Sequence, residues 1–121
     1  MSVEADVRNA ILSHAPDRVF PDFAPEFALN SSDPFVTFTQ IGGEAQAILS
    51  GPDKLRRIRM QINVWARTRL AANTIARAVE ESMRTATEFT GFRLAEFTAV
   101  YDQPTGWYGT TQDFRVIWRP E

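Results

Sequence analysis

The residue pattern predicts an α+β domain of order α-β-β-α-β-β, a four-stranded, mostly antiparallel sheet with two helices packed on one face. Three observations carry this prediction. Residues 56–65 alternate, with Ile58, Met60, Ile62 and Val64 on one side and Arg57, Arg59, Gln61, Asn63 and Trp65 on the other, the pattern of a strand covered on a single side. Residues 69–87 instead line up Ala72, Ile75, Ala76, Val79, Met83 and Ala86 along one helical stripe. The chain has 121 residues, 44% of them apolar and 12% aromatic, which suits a single domain over 1–121 with a real core.

The elements follow in chain order. Val3, Val7, Ala10 and Ile11 share a helical face over residues 3–14, with Ser2 as the expected cap and Glu4 and Asp6 at the positive end of the dipole. Pro16 ends that helix just after His14. Residues 16–34 contain four prolines and read as irregular, held down by Phe20, Phe23 and Phe27. FVTFTQI, residues 35–41, is a strand between Asp33-Pro34 and a hairpin turn at Gly42-Gly43. Residues 44–53 are looser and end in a turn at Ser50-Gly51-Pro52-Asp53. Thr68 is the expected cap of the helix over 69–87, and Gly91 its breaker. Residues 92–101 form a third strand whose alternation changes face near Glu96-Phe97, as at a bulge. After a turn at 102–106, residues 111–119 form the last strand.

Charge is divided by region. Residues 1–53 hold eight acids and two bases, residues 54–93 nine bases and three acids, and residues 94–121 four acids and two bases. The blocks either pair within one fold or meet between copies, and a contact between unlike patches closes into rings or runs on as filaments. Twelve of the thirteen bases are arginine, the residue suited to forked pairing.

Reactive chemistry is sparse. Zero cysteine excludes thiol nucleophiles, disulfides and zinc ribbons, and a single histidine, His14, excludes a multi-histidine metal site. No G-x-S-x-G elbow presents a serine to His14, which reads as a hydrogen-bonded helix-terminal residue. Glu80 and Glu81 diverge by about 100° as helical neighbours, so they do not share a proton. Gly42-Gly43 lacks the lysine of a phosphate loop, and Asp102 with Asp113 is a thin basis for a cation site. No catalytic, cofactor or metal residue is expected. No apolar run reaches the roughly 18 residues that span a bilayer, and MSVEADVRNAIL lacks the basic flank of a secretory signal.

What remains is contact surface. Arg57 and Arg59 share the outward side of their strand with Trp65, and Trp107 and Tyr108 lie in a turn between Gly106 and Gly109. Arginine and large aromatics concentrate at protein interfaces, so these five are the candidate contact residues, unless the rings pack back on their own domain. A second class of function, a small nucleic-acid-binding domain, would use Arg57, Arg59 and Trp65 as a platform. The acidic pI of about 5.4 argues against it.

Taken in order, Arg18-Val19-Phe20-Pro21, Pro34-Phe35-Val36, Gln61-Ile62-Asn63-Val64-Trp65-Ala66 ahead of an alanine-rich helix, Tyr101-Asp102 before Thr105-Gly106, and Asp113-Phe114-Arg115-Val116-Ile117-Trp118 cover nearly the whole chain. This set resembles the tail completion family of long-tailed bacteriophages and prophages, tail-to-head joining proteins related to tail terminators. The resemblance implies a structural role without catalytic residues. It implies a ring of copies, commonly a hexamer, at the head-proximal end of the tail tube, where the protein stops tube growth and docks to the head connector. The implied partners are the chain itself, the tail tube protein and the connector or neck proteins. The implied location is the tail–head junction of the virion, with the host cytoplasm during assembly. A head-closure protein one ring nearer the capsid is the neighbouring alternative.

Overall fold

Alternation in the middle of the chain sets the frame. The computed structural model describes residues 3–44 and 56–118. β3 (Arg56–Ala66) is the long central strand, with Ile58, Met60, Ile62 and Val64 all buried on one side. β2 (Phe35–Glu44) and β6 (Trp107–Trp118) flank it, both antiparallel. Beyond β2 lies β1 (Val19–Pro21), a three-residue strand parallel to it, pairing Val19 with Val36. On the other side, β4 (Thr90–Arg93) pairs with residues 114–117 of β6, and β5 (Thr98–Asp102) pairs with residues 107–111. The order is β1-β2-β3-β6-β4, with β5 also on β6.

α1 (Val3–Ile11) and α3 (Arg69–Thr85) cover the same face of this sheet, and their Val7, Ile11, Ala76, Val79 and Met83 join Val36, Phe38, Ile62, Phe114 and Val116 in the main core. The small side chains Ala72 and Ala76, at most 3% exposed, let α3 lie close to the strands. Thr68 caps α3, its Oγ1 accepting from Ala71 N at 3.1 Å. α1 and the end of β6 meet where Trp118 Nε1 donates to buried Asp6 at 2.9 Å. A third, one-turn helix, α2 (Glu26–Leu29), lies on the opposite side, which we call the open face; its Ala28 packs there with Ala24, Phe35 and Trp107.

Among the described residues the sheet therefore has six strands rather than four, and there are three α-helices rather than two. The expected strand over 92–101 is two strands on β6, because residues 94–97 stand opposite only Gln112 and Asp113 and interrupt the ladder where the face of the alternation changes. β6 starts at Trp107, not at residue 111, since Trp107 pairs with Asp102 across the turn. β1 is three residues long in a proline-rich stretch and has no readable period. It sits between Asp17 (φ 61°) and Asp22 (φ 67°), left-handed positions that aspartate tolerates better than most residues. Gly42-Gly43 is no hairpin turn: the pair lies within β2, where the register shifts between Gln40 and Gly43 and Gly42 takes a φ of 117°. Nor does Gly91 end α3, which stops at Thr85. Gly91 is buried in β4, where a Cβ would come within 2.7 Å of Met83 O. His14 closes a 3₁₀ turn (Leu12–His14) after α1 rather than the helix itself. The expected cap at Ser2, the turn at 50–53 and the end of the last strand at residue 119 lie outside the described residues.

Candidate interface

The open face carries the outward residues of the three long strands. Near the start of β3, Arg59 donates to Asp113 Oδ2 at 2.6 and 3.0 Å, and Gln61 reaches the other oxygen at 3.5 Å. At the far end of β3 the face turns aromatic. Phe35 and Trp107 meet edge to face at 5.0 Å, and Trp65 lies so close to Gly109 that a Cβ there would be 2.6 Å from the indole.

Residues 22–34 strap across that aromatic end. Two arginines fix the strap through backbone carbonyls. Arg18 donates to Pro34 O at 3.1 Å and Ala28 O at 3.2 Å. Arg67 donates to Thr105 O at 2.7 Å and Ser31 O at 3.3 Å, with its guanidinium 3.7 Å from the centre of the Trp107 ring. The strap seats itself with Ala24 and Ala28, so its phenylalanines turn outward: Phe23 is 79% exposed and Phe27 62%. Phe23 and Phe27 thus do not hold the segment down as expected; Phe20, half-buried, does, and meets the edge of Phe27 at 5.8 Å. Between strap and sheet opens a groove of about 430 Å³, lined among others by Asp22, Phe23, Phe35, Trp65, Asp102 and Trp107.

The five expected contact residues do not converge. Trp107 is 2% exposed, because the turn tightens into a β-hairpin that feeds its ring under the strap. Trp65 is half-buried against the same cluster. Tyr108 points to the helix side, 4.6 Å from Tyr101 and 5.4 Å from the Arg69 guanidinium. Arg59 is tied to Asp113, and Arg57 is the one of the five that stands exposed with no side-chain partner among the described residues. A nucleic-acid platform of Arg57, Arg59 and Trp65 is accordingly not continuous. The outward phenylalanines of the strap were missed. Their spacing from Ala24 and Ala28 was the available signal, since either set can take the inner side.

Among the described residues the acidic and basic blocks form no ion pair with each other either. Those arginines of the basic block that do form ion pairs, Arg59, Arg77, Arg84 and Arg93, find acids at or after residue 80. Arg77 and Arg93 share Glu80 and Glu96, with Arg77–Glu96 at 2.8 Å and Arg93–Glu96 at 2.6 Å. The hydrogen bond from Arg77 holds the Glu96 carboxyl below the ordinary carboxylate range. Glu81 pairs with Arg84, while Glu80 also accepts from Gln112 at 2.8 Å, so the two neighbours face different partners. Asp102 accepts from Thr105 and Asp113 from Arg59, which leaves them without a shared site. His14 Nε2 shares a hydrogen bond with Ser82 Oγ at 2.6 Å, and burial lowers its pKa. No carboxylate completes a triad there among the described residues. The same residues contain no group of three His, Asp or Glu side chains that could hold a metal ion.

A model of the family described as "Tail completion protein gp17" matches residues 4–119. The chain belongs to this tail completion family. No curated protein sequence matches it. A solved chain described as "Virion of native gene transfer agent (GTA) particle" is similar at a TM-score of 0.66 and 12% identity, over 98% of this chain and 96% of that one, a likeness of fold. Family membership gives the chain a structural role in a phage tail and makes it a virion structural protein.

Proposed function

We propose that the protein caps the head-proximal end of the tail tube, stops its growth and joins tail to head as a ring of copies. The observation that carries this reading is the family match over residues 4–119, nearly the whole chain. The physics of the surface supports it. A ring subunit needs two unlike lateral patches and a face for the tube, and this chain exposes an acidic, aromatic strap and an arginine end that do not pair with each other. Individually weak charged contacts keep free copies apart in the cytoplasm and add up once the tube end gathers several copies.

In this reading Arg57 makes direct contact, Arg59, Trp65 and Trp107 hold the open face in shape, and Tyr108 with Tyr101 forms part of the surface beside α3. The partners are neighbouring copies, the tube protein and the connector, and the protein acts by fit at the tail–head junction, transforming no molecule. Deleting the gene from the phage or prophage that encodes it and imaging the lysate tests this. Separate heads and tails, with tails of uncontrolled length, are expected; normally joined particles overturn it.

A further inference from the structure

We infer that the groove and strap of one copy receive the Arg56–Arg57 end of the next, so that subunits join head to tail along the strands. This rests on the ring reading above and names its lateral contact. The strap exposes Phe23, Phe27 and Leu29, the last at 43%, three large apolar side chains on one short segment, and clustered exposed apolar surface marks a binding site. Acids surround it. Asp22, Glu26 and Asp33 are exposed and bond no basic side chain among the described residues, and Asp102 lines the groove. Trp107, on the groove's lining, has an indole nitrogen with no acceptor among those residues.

The complementary surface is at the other end of the sheet. Arg56 and Arg57 open β3, both exposed and neither bonded through its side chain to a described residue. Ile41 of the neighbouring β2, 41% exposed, adds an apolar element. From Arg57 to Trp65 is eight residues of strand, about 26 Å at ~3.3 Å per residue. The two patches of one copy are therefore far apart and opposite in charge, and each includes exposed apolar side chains. Such patches satisfy each other between copies, not within one.

The test uses charge reversal in cis, with three variants supplied in place of the wild-type gene. Glu26→Lys with Asp33→Lys reverses the strap; Asp22 is left alone because its left-handed backbone strains a lysine. Arg56→Glu with Arg57→Glu reverses the other end, and the third variant carries all four changes. Each two-site reversal is expected to weaken the lateral contact about thirtyfold and to abolish joined particles. The four-site variant is expected to restore joining, because both patches change sign together. A connector or tube protein, whose charge is not reversed, would not be rescued in this way. The chain has no cysteine, so Phe23→Cys with Arg57→Cys adds a second readout. Oxidised particles should give a ladder extending beyond dimers. Tolerance of either reversal, failure of the four-site rescue, a ladder ending at dimers, or loss of the fold in a two-site variant overturns the pairing. Joined particles that need the gene but ignore the reversals sink this pairing alone; joined particles without the gene sink the ring reading itself.

Discussion

Arg67 offers a direct test of how the exposed strap is held. Its guanidinium lies 3.7 Å from the Trp107 ring centre and donates to Thr105 O at 2.7 Å and Ser31 O at 3.3 Å. Removing the side chain in Arg67→Ala loses a surface cation–π contact and two hydrogen bonds, about 2 kcal/mol together. The loss is shared between the strap, through Ser31 O, and the turn at 102–106, through Thr105 O, because β3 remains paired to β2 and β6 along its length. Local opening of residues 22–34, which loses the charge-assisted bond to Ser31 O, should then rise about tenfold. Native-state hydrogen exchange reads this at the amides of Ala28, Asn30 and Ser31, which bond Pro25 O, Glu26 O and Ala28 O. Those amides should exchange about ten times faster, while Ile62 and Val64 in β3 stay protected. Arg67→Lys should recover little, since an ammonium cannot bond two carbonyls and stack as one planar fork does. Unchanged strap amides, or equal acceleration in β3, would refute the assignment of Arg67 as the staple.

Three other changes probe the scaffold. Gly91→Ala forces a Cβ to within 2.7 Å of Met83 O and 2.9 Å of the Phe89 ring, so overpacking of about 1–3 kcal/mol should lower the urea midpoint by roughly 1 M. Asp6→Ala leaves the buried Trp118 indole nitrogen without its acceptor and should destabilise by about 1–3 kcal/mol in equilibrium denaturation. Burial lowers the pKa of His14, so its neutral form is favoured in the folded state; its contribution is complete above pH 6.5, the ordinary value, and is lost as pH falls through that value toward the folded pKa. Urea midpoints at pH 7.5 and 5.5 should show a drop that His14→Gln reduces.

Long periodic elements were legible in the sequence because their own side chains decide them. The alternation over 56–65 gives β3 to within a residue, and the stripe from Ala72 to Met83 gives α3 and its capping threonine. Short elements were not. β1 and α2 are three and four residues long, too short to show a period, and they exist because β2 and the Phe35–Trp107 cluster give them somewhere to pack. The change of face at Glu96-Phe97 marked the right place, where four residues stand opposite two of β6, but not that the interruption is long enough to divide the strand, since that depends on the partner's register. Trp107 and Phe23 exchanged roles for the same reason. A ring in a glycine-flanked turn reads as exposed and a ring between prolines as an anchor, but the choice is made by the strap, which is positioned by Arg18 and by Arg67, the latter distant in sequence.

Those arginines also explain the composition. A surplus of arginine over lysine could serve phosphate recognition, but Arg18, Arg67 and Arg69 each donate to two backbone carbonyls, Arg69 reaching Gly109 O at 2.8 Å and Val100 O at 2.6 Å. A rigid planar fork holds two carbonyls in fixed geometry, for Arg18 and Arg67 on backbone that no sheet ladder reaches, and a flexible ammonium does so less well. The guanidinium groups at one end of the sheet are thus occupied inside the subunit. Arg18 and Arg67 fix the strap, and with it two outward phenylalanines, before any partner arrives, while Arg69 ties β5 to β6. A contact surface ordered in advance loses less freedom on association, so a small patch can hold a neighbour that a mobile loop of the same composition would release.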